Sequence, residues 1–185
     1  MNFNEIKTGR RVVLNGEPFE VIYHEHSKTG RAGAVLRTKI RNLKTGSVQE
    51  KIFHGSDKVD EANIEKIPSQ FLYSDENHCY FMDMETYDQI TVDKSALKDS
   101  LNFLTEGLDV TILNFDGNPI NIELPVKVEL EVVEAPPNIK GDTQSGGDKL
   151  VTTETGLQIT VPLFIESGDK ILVNTQRGEY VSKVK

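Results

Sequence analysis

The sequence predicts an all-β protein built from three small barrels, and three observations carry that expectation. Short apolar runs with two-residue alternation recur along all 185 residues, separated by Gly, Asn, Asp and Pro turn signals. No strand is followed repeatedly by a long helical pattern, which argues against a doubly wound sheet. Apolar residues make up only 37% of the chain, a share that suits several thin cores better than one thick one. Boundaries near 64 and 127 divide the chain into modules 1–64, 65–127 and 128–185.

In the first module, "RVVLNGEPFEVIYHEH" places Asn15-Gly16 between two apolar runs, the signature of a tight hairpin. Phe19, Val21 and Tyr23 alternate with Glu20, Ile22 and His24, so the first three are expected on one face, although Ile22 breaks the polar side of the pattern. "SKTGRAG" holds two glycines and no large apolar side chain, and reads as a turn. Beyond it, Ala34, Leu36, Thr38 and Ile40 alternate with Val35, Arg37, Lys39 and Arg41, which sends one row inward and lines three cations along the other. "LKTGS" turns the chain and "VQEKIF" runs back.

The second module opens with a strand over "QFLY", a polar turn around Ser74 to Asn77, a strand over "HCYFMD" and a third around Tyr87 to Val92. "DKSALKDSLNFL" holds a short helix or helical turns, with Asp93 or Ser95 as the cap. "DVTILNFDGNPINIELP" is a second hairpin, turning at Asp116-Gly117. In the third module "KVELEVVEA" is a strand, "PPNIKGDTQSGGDK" a long polar loop, and "GLQITVPLFI", "DKILVNT" and "EYVSKVK" further strands, the last two joined through "QRG".

Charge is distributed unevenly. The net formal charge is −8, yet residues 26–49 contain no carboxylate and carry Lys28, Arg31, Arg37, Lys39, Arg41 and Lys44. Residues 1–64 hold 11 Lys or Arg against 8 Asp or Glu, and residues 65–185 hold 10 against 21. This asymmetry points to one module that faces nucleic acid, joined to a body that resists nonspecific attachment to polyanions. Lys and Arg meet phosphates, and a glycine-containing tip enters a groove that a sheet cannot. The competing reading is an ordinary solvated strand face. Arg31, flanked by Gly30 and Ala32, projects a five-donor guanidinium from the tip, and composition leaves open whether it contacts RNA, accepts an enzymatic addition or only solubilises the surface.

Other chemistry finds little support. The single cysteine, Cys79, has no partner for an internal disulfide and reads as a buried strand residue. His24 and His26 share a strand face but lack metal-site spacing, and are taken as surface or rim residues. "GDTQSGGDK" lacks the order of a P-loop, and no nucleophile accompanies Glu25 and its two histidines. No apolar run reaches the ~18 residues needed to span a bilayer. The opening "MNFNEIKTGRR" has no apolar signal core, which favours a cytoplasmic, reducing location.

Six segments then resemble one family: "EIKTG" at 5–9, "TGRAGAVLRTKIRNLKTG" at 29–46, "FMDMETYDQI" at 81–90, "IKGDT" at 139–143, "GLQITVPLFIESGDKILVNT" at 156–175 and "GEYVSKVK" at the end. In order and number they resemble bacterial translation elongation factor P over essentially the whole chain. The resemblance implies a KOW-like (SH3-like) barrel followed by two OB-like barrels in an elongated, tRNA-like arrangement. It implies a non-enzymatic, monomeric factor that binds the 70S ribosome beside the peptidyl-site tRNA, touches ribosomal RNA and relieves stalling on consecutive prolines. Lys28, Gly30, Arg31, Ala32, Arg37, Lys39 and Arg41 are then the peptidyl-tRNA and ribosome contacts.

The family places a modified residue at the hairpin tip, and alignment through "AVLRTKIRNL" puts it on Arg31. Many members have lysine there, and this tip also lacks their usual Pro-Gly approach. A smaller branch attaches rhamnose to an arginine, so the resemblance implies that Arg31 either carries that sugar, added by a glycosyltransferase, or works unmodified. No other cofactor is implied. Gly141, Asp142 and Thr143 match a loop that approaches the exit-site codon, and "GDT" is equally plausible as a solvent-exposed turn. Tyr180 and Lys183 match a small-subunit contact region, although Tyr180 is also placed to complete a barrel core. Two other readings stay open: a specialised paralogue with a different stall spectrum, and a general OB-type RNA-binding protein.

Overall fold

The computed structural model describes residues 3–29, 33–137 and 147–184. A 3-10 turn, Phe3–Glu5, leads into β1 (Arg11–Leu14), β2 (Glu17–Thr29), β3 (Gly33–Asn42), β4 (Val48–His54) and β5 (Asp60–Glu61). These form one sheet in the order β4-β3-β2-β1-β5. A second sheet runs β10-β9-β6-β7-β8, from β6 (Ile64–Ser74), β7 (His78–Asp83), β8 (Gln89–Asp93), β9 (Asp109–Phe115) and β10 (Asn118–Glu123). A third runs β13-β12-β11-β14-β15, from β11 (Lys127–Glu134), β12 (Asp148–Thr153), β13 (Gln158–Pro162), β14 (Lys170–Asn174) and β15 (Glu179–Lys183). By packing, the chain forms two compact units, Met1–Ile67 with Ile112–Asn121, and Pro68–Thr111 with Ile122–Lys185.

The tight turns form where the residue types allow them. Asn15 and Gly16 have φ of 53° and 78°, and Asp116 and Gly117 have 49° and 79°. Both central residues of a type I′ two-residue hairpin turn need this left-handed region, which Asn, Asp and Gly enter at little cost. They join β1 to β2 and β9 to β10, as the sequence predicts.

Each unit buries its own apolar side chains. In the first, Phe3, Ile6, Val12, Phe19, Val21, Leu36, Ile40, Phe53 and Val59 pack together. A smaller cluster of Leu43, Ala62, Leu113, Phe115 and Ile120 ties the β9–β10 turn region into the same unit, and Asn121 Nδ2 donates to the Leu43 carbonyl at 3.1 Å. In the second unit, Phe103, Val128, Leu130, Val132, Val151, Ile159, Val161, Ile165, Ile171 and Val173 form the core of the third sheet. Phe71 and Phe81 meet edge to face at 5.5 Å in the second sheet. Cys79 is fully buried there, as the alternation of its strand predicts, and burial pushes its thiol up.

One expectation needs correcting, and another holds in part. Tyr23 does not follow Phe19 and Val21 inward: the β2–β3 register jumps between Val21↔Ile40 and Tyr23↔Lys39, so one extra residue at Ile22 bulges and flips the strand's faces. Tyr23 is therefore exposed. The predicted helix is the single turn α1 (Lys94–Leu97), continued by a 3-10 stretch Lys98–Phe103, and Asp93 occupies its N-cap position without a capping side-chain bond. Its carboxylate instead lies 3.4 Å from His78 Nε2.

The turn between β6 and β7 is held by Asp75. Its Oδ2 accepts from the Tyr80 hydroxyl at 2.7 Å, and its Oδ1 accepts from the amides of His78 at 2.7 Å and Asn77 at 2.9 Å. These bonds, the Tyr80 hydroxyl first, lower the carboxyl from 3.8 to about 2. Because the folded value is the depressed one, this contribution is complete above pH 3.8 and disappears as the pH falls through about 2. Thermal unfolding between those limits should therefore show a smaller acid-side loss for Asp75→Asn than for the unsubstituted protein; identical pH profiles would refute the assignment. Truncating the fully buried Phe81 to alanine should cost about 3–5 kcal/mol in denaturant unfolding.

Candidate functional site

The β2–β3 pair is a long antiparallel ribbon, running from Phe19↔Asn42 to Thr29↔Gly33. Along β3 the predicted alternation holds: Leu36, Thr38, Ile40 and Asn42 are buried, and Arg37, Lys39 and Arg41 are exposed on the opposite face. Thr38 is accommodated inside because its hydroxyl donates to the Lys51 carbonyl at 2.8 Å. Asn42 fixes the following turn, its Oδ1 accepting from the amides of Lys44 and Thr45 at 2.8 and 3.0 Å. The ribbon thus presents its three cations from a hydrogen-bonded base.

Cross-strand neighbours complete that outer face. On β2, Glu25 lies opposite Arg37, Tyr23 opposite Lys39 and Glu20 opposite Arg41. On β4, Ile52 lies opposite Arg37, Glu50 opposite Lys39 and Val48 opposite Arg41. The row that lacks local counter-charges in the sequence therefore has Glu20, Glu25 and Glu50 beside it in space. Even so, among the described residues Arg37, Lys39 and Arg41 make no ion pair. Glu25 instead accepts from the Tyr23 hydroxyl at 3.4 Å. Tyr23, Glu25, Arg37, Lys39, Glu50 and Ile52 line a shallow cleft of about 240 Å³. Unpaired cations can meet phosphates, while the exposed Tyr23 ring offers a stacking surface.

Tyr23 and the three glutamates are what sequence reasoning missed. The signal that was available is Ile22, whose intrusion into the alternation marks the bulge that re-aims Tyr23.

The other predicted residues are placed as follows. Lys28 lies in β2 with its backbone opposite Ala34. Gly30, Arg31 and Ala32, and the loop residues Gly141, Asp142 and Thr143, lie outside the described residues. Tyr180 and Lys183 are on β15: Tyr180 packs against the core of the third sheet, and Lys183 Nζ donates to Asp169 Oδ2 at 2.7 Å. That bond, with one from the Glu166 amide, holds the Asp169 carboxyl below its ordinary value. His24 Nδ1 accepts from Thr8, at 2.8 Å from its hydroxyl and 3.2 Å from its amide. Among the described residues no group of three His, Cys, Asp or Glu side chains is placed to hold a metal ion, and no helix is long and apolar enough to cross a membrane.

If the row acts on phosphates, each of Arg37→Ala, Lys39→Ala and Arg41→Ala should flatten the dependence of log affinity on log salt for poly(U), by about 0.7 for each phosphate no longer neutralised. Glu25→Gln with Glu50→Gln should raise that affinity. A salt slope unchanged in all three cation variants would show that the face is merely solvated.

Three family models match successive parts of the chain: "Elongation factor P (EF-P) KOW-like domain" over residues 2–59, "Elongation factor P (EF-P) OB domain" over 64–122 and "Elongation factor P, C-terminal" over 128–183. Elongation factor P of Pelotomaculum thermopropionicum is 45% identical over 181 residues, covering 98% of both chains. Those of Moorella thermoacetica and Carboxydothermus hydrogenoformans are each 42% identical, with 97% and 98% of both chains covered. Among solved structures, the eukaryotic translation initiation factor 5A from Methanococcus jannaschii aligns with a TM-score of 0.53 at 21% identity, over 68% of this chain and 90% of its own. A related protein from Naegleria fowleri aligns at 0.51 and 18%, over 66% and 93%; at these identities the likeness is one of fold. With its KOW-like and OB-like β-domains, the chain belongs to the elongation factor P family of non-enzymatic translation factors.

Proposed function

We propose that this factor binds the ribosome in the cytoplasm beside peptidyl-site tRNA and promotes peptide-bond formation where runs of proline stall synthesis. The observation that carries this reading is the row Arg37, Lys39 and Arg41, exposed and, among the described residues, without an ion pair, on a ribbon that leads in sequence toward Arg31. A factor of this kind makes and breaks no bond itself. It restricts the reacting end of a bound tRNA to productive geometries, so its effect is one of orientation and electrostatic placement. The row anchors the ribbon on phosphates, and the guanidinium of Arg31 acts at the tip.

In this reading residues 1–64, 65–127 and 128–185 act as three modules. Lys28, Gly30, Arg31 and Ala32 make the tip contacts, Gly141, Asp142 and Thr143 approach the exit-site codon, and Tyr180 and Lys183 lie toward the small subunit. Tyr180 also has a core role and Lys183 an intramolecular partner, so of these two it is the exposed edge around them that meets RNA. Arg31 carries a rhamnose added by a glycosyltransferase, the alternative being that it works unmodified.

Ribosome-dependent synthesis across a proline run tests the reading, comparing protein from its native cell, unmodified protein and Arg31→Ala. Native protein should restore the full-length product, with the other two impaired. Tight binding to naked RNA without any restoration would replace this reading with that of a general RNA-binding protein. Peptide fragmentation of the native material should place the added mass on Arg31; a shift on Lys28 with Arg31 bare would overturn the modification site.

A further inference from the structure

A second stretch mirrors the basic one. Residues 67–93 contain no Lys or Arg and carry Asp75, Glu76, Asp83, Glu85, Asp88 and Asp93. Within it, the turn that joins β7 to β8 holds Tyr87 at φ 62°, with its side chain 74% exposed. The left-handed region suits Gly, Asn and Asp, and for a bulky side chain it is a genuine outlier. Asn15 and Asp116 occupy it elsewhere in this chain without such cost. Among the described residues the Tyr87 side chain has no hydrogen-bond or aromatic partner. A backbone strain held at a side chain that makes no such contact points outward, to function.

The turn is also closed by a set of backbone hydrogen bonds. The Asp83 amide donates to the Asp88 carbonyl at 2.9 Å, and the Tyr87 amide to the Asp83 carbonyl at 3.0 Å. Asp83 Oδ1 accepts from the amides of Glu85 and Thr86 at 2.7 and 3.1 Å, and the Met84 amide donates to the Pro68 carbonyl at 2.9 Å. The backbone that presents Tyr87 therefore has little entropy left to lose, in the same turn as the exposed Met84. Exposed aromatics on rigid supports are the side chains that anchor protein interfaces. The flanking carboxylates repel phosphates, and so choose the partner class.

We propose that the β7–β8 turn docks a Lys- and Arg-rich protein surface, with Tyr87 as its anchor and Glu85 and Asp88 as counter-charges. The partner is sought on the ribosome, so the test rests on the translation reading, and the unsubstituted protein checks that reading first.

Two variants decide the matter, each measured by thermal unfolding and by co-sedimentation with purified 70S ribosomes. Tyr87→Gly removes the side chain and relieves the strain, so its melting temperature should be unchanged or higher while ribosome affinity falls by about tenfold, the scale of an anchor residue. Glu85→Lys should weaken binding to a basic protein surface; if the turn faces RNA the same change tightens binding, and the proposal fails. A lowered melting temperature with unchanged affinity for Tyr87→Gly would assign the tyrosine a structural role and also overturn it. Should the unsubstituted protein not sediment with ribosomes, the translation reading falls and takes this partner with it; should it sediment and Tyr87→Gly do so equally well, only the docking surface is lost.

Discussion

The register between β2 and β3 is the constraint on which the candidate site depends. Side chains in a strand alternate between faces, so a slip of one residue would bury Arg37, Lys39 and Arg41 and expose Leu36, Thr38 and Ile40. Burial of Leu36 and Ile40 in the first core forbids that slip. The extra residue at Ile22 lets β2 keep Phe19 and Val21 inside while turning Tyr23 out beside Lys39. One bulge thus reconciles a core and an exposed cationic face that a regular strand could not both satisfy.

The same logic explains why three thin sheets suffice. Each core is small, and the first unit draws on residues distant in sequence, with Leu113, Phe115 and Ile120 meeting Leu43 and Ala62. Stability rests on buried apolar side chains and on well-satisfied turns such as those built around Asn42, Asp75 and Asp83. Surface charge contributes little to it: exposed ion pairs such as Arg10–Glu61, at 3.2 Å, are each worth about 0–1 kcal/mol. Charges are therefore free to be placed for binding.

Much of this was readable from the sequence. Asn15-Gly16 and Asp116-Gly117 announce their turns through residue chemistry alone, and the alternation from Ala34 to Arg41 separates core from cations. What stayed hidden depends on pairing across strands. Glu20, Glu25 and Glu50 lie outside the carboxylate-free window, yet the ladders bring them beside Arg41, Arg37 and Lys39. Lys183 finds Asp169, and Asp93 turns to His78 in place of its helix, for the same reason. Tyr87 was hidden differently: the sequence places it at the start of a strand, whereas it sits in the turn before β8, at a dihedral where glycine would be easier.

Segregating charge, with six cations and no anion in residues 26–49 and six carboxylates and no cation in residues 67–93, costs folding little because the local like charges are spread over strands and turns in water. Its effect is on encounter. Fields of opposite sign steer different partners and reject the wrong ones, over a range set by a Debye length of about 8 Å at physiological salt. For a chain of net charge −8, the approach to RNA proposed above would use the face of Arg37, Lys39 and Arg41, which make no ion pair among the described residues. A uniformly mixed surface of the same composition would fold equally well and present neither sign strongly. The linear clustering of charge is thus better explained by what the surface must meet than by what the fold needs.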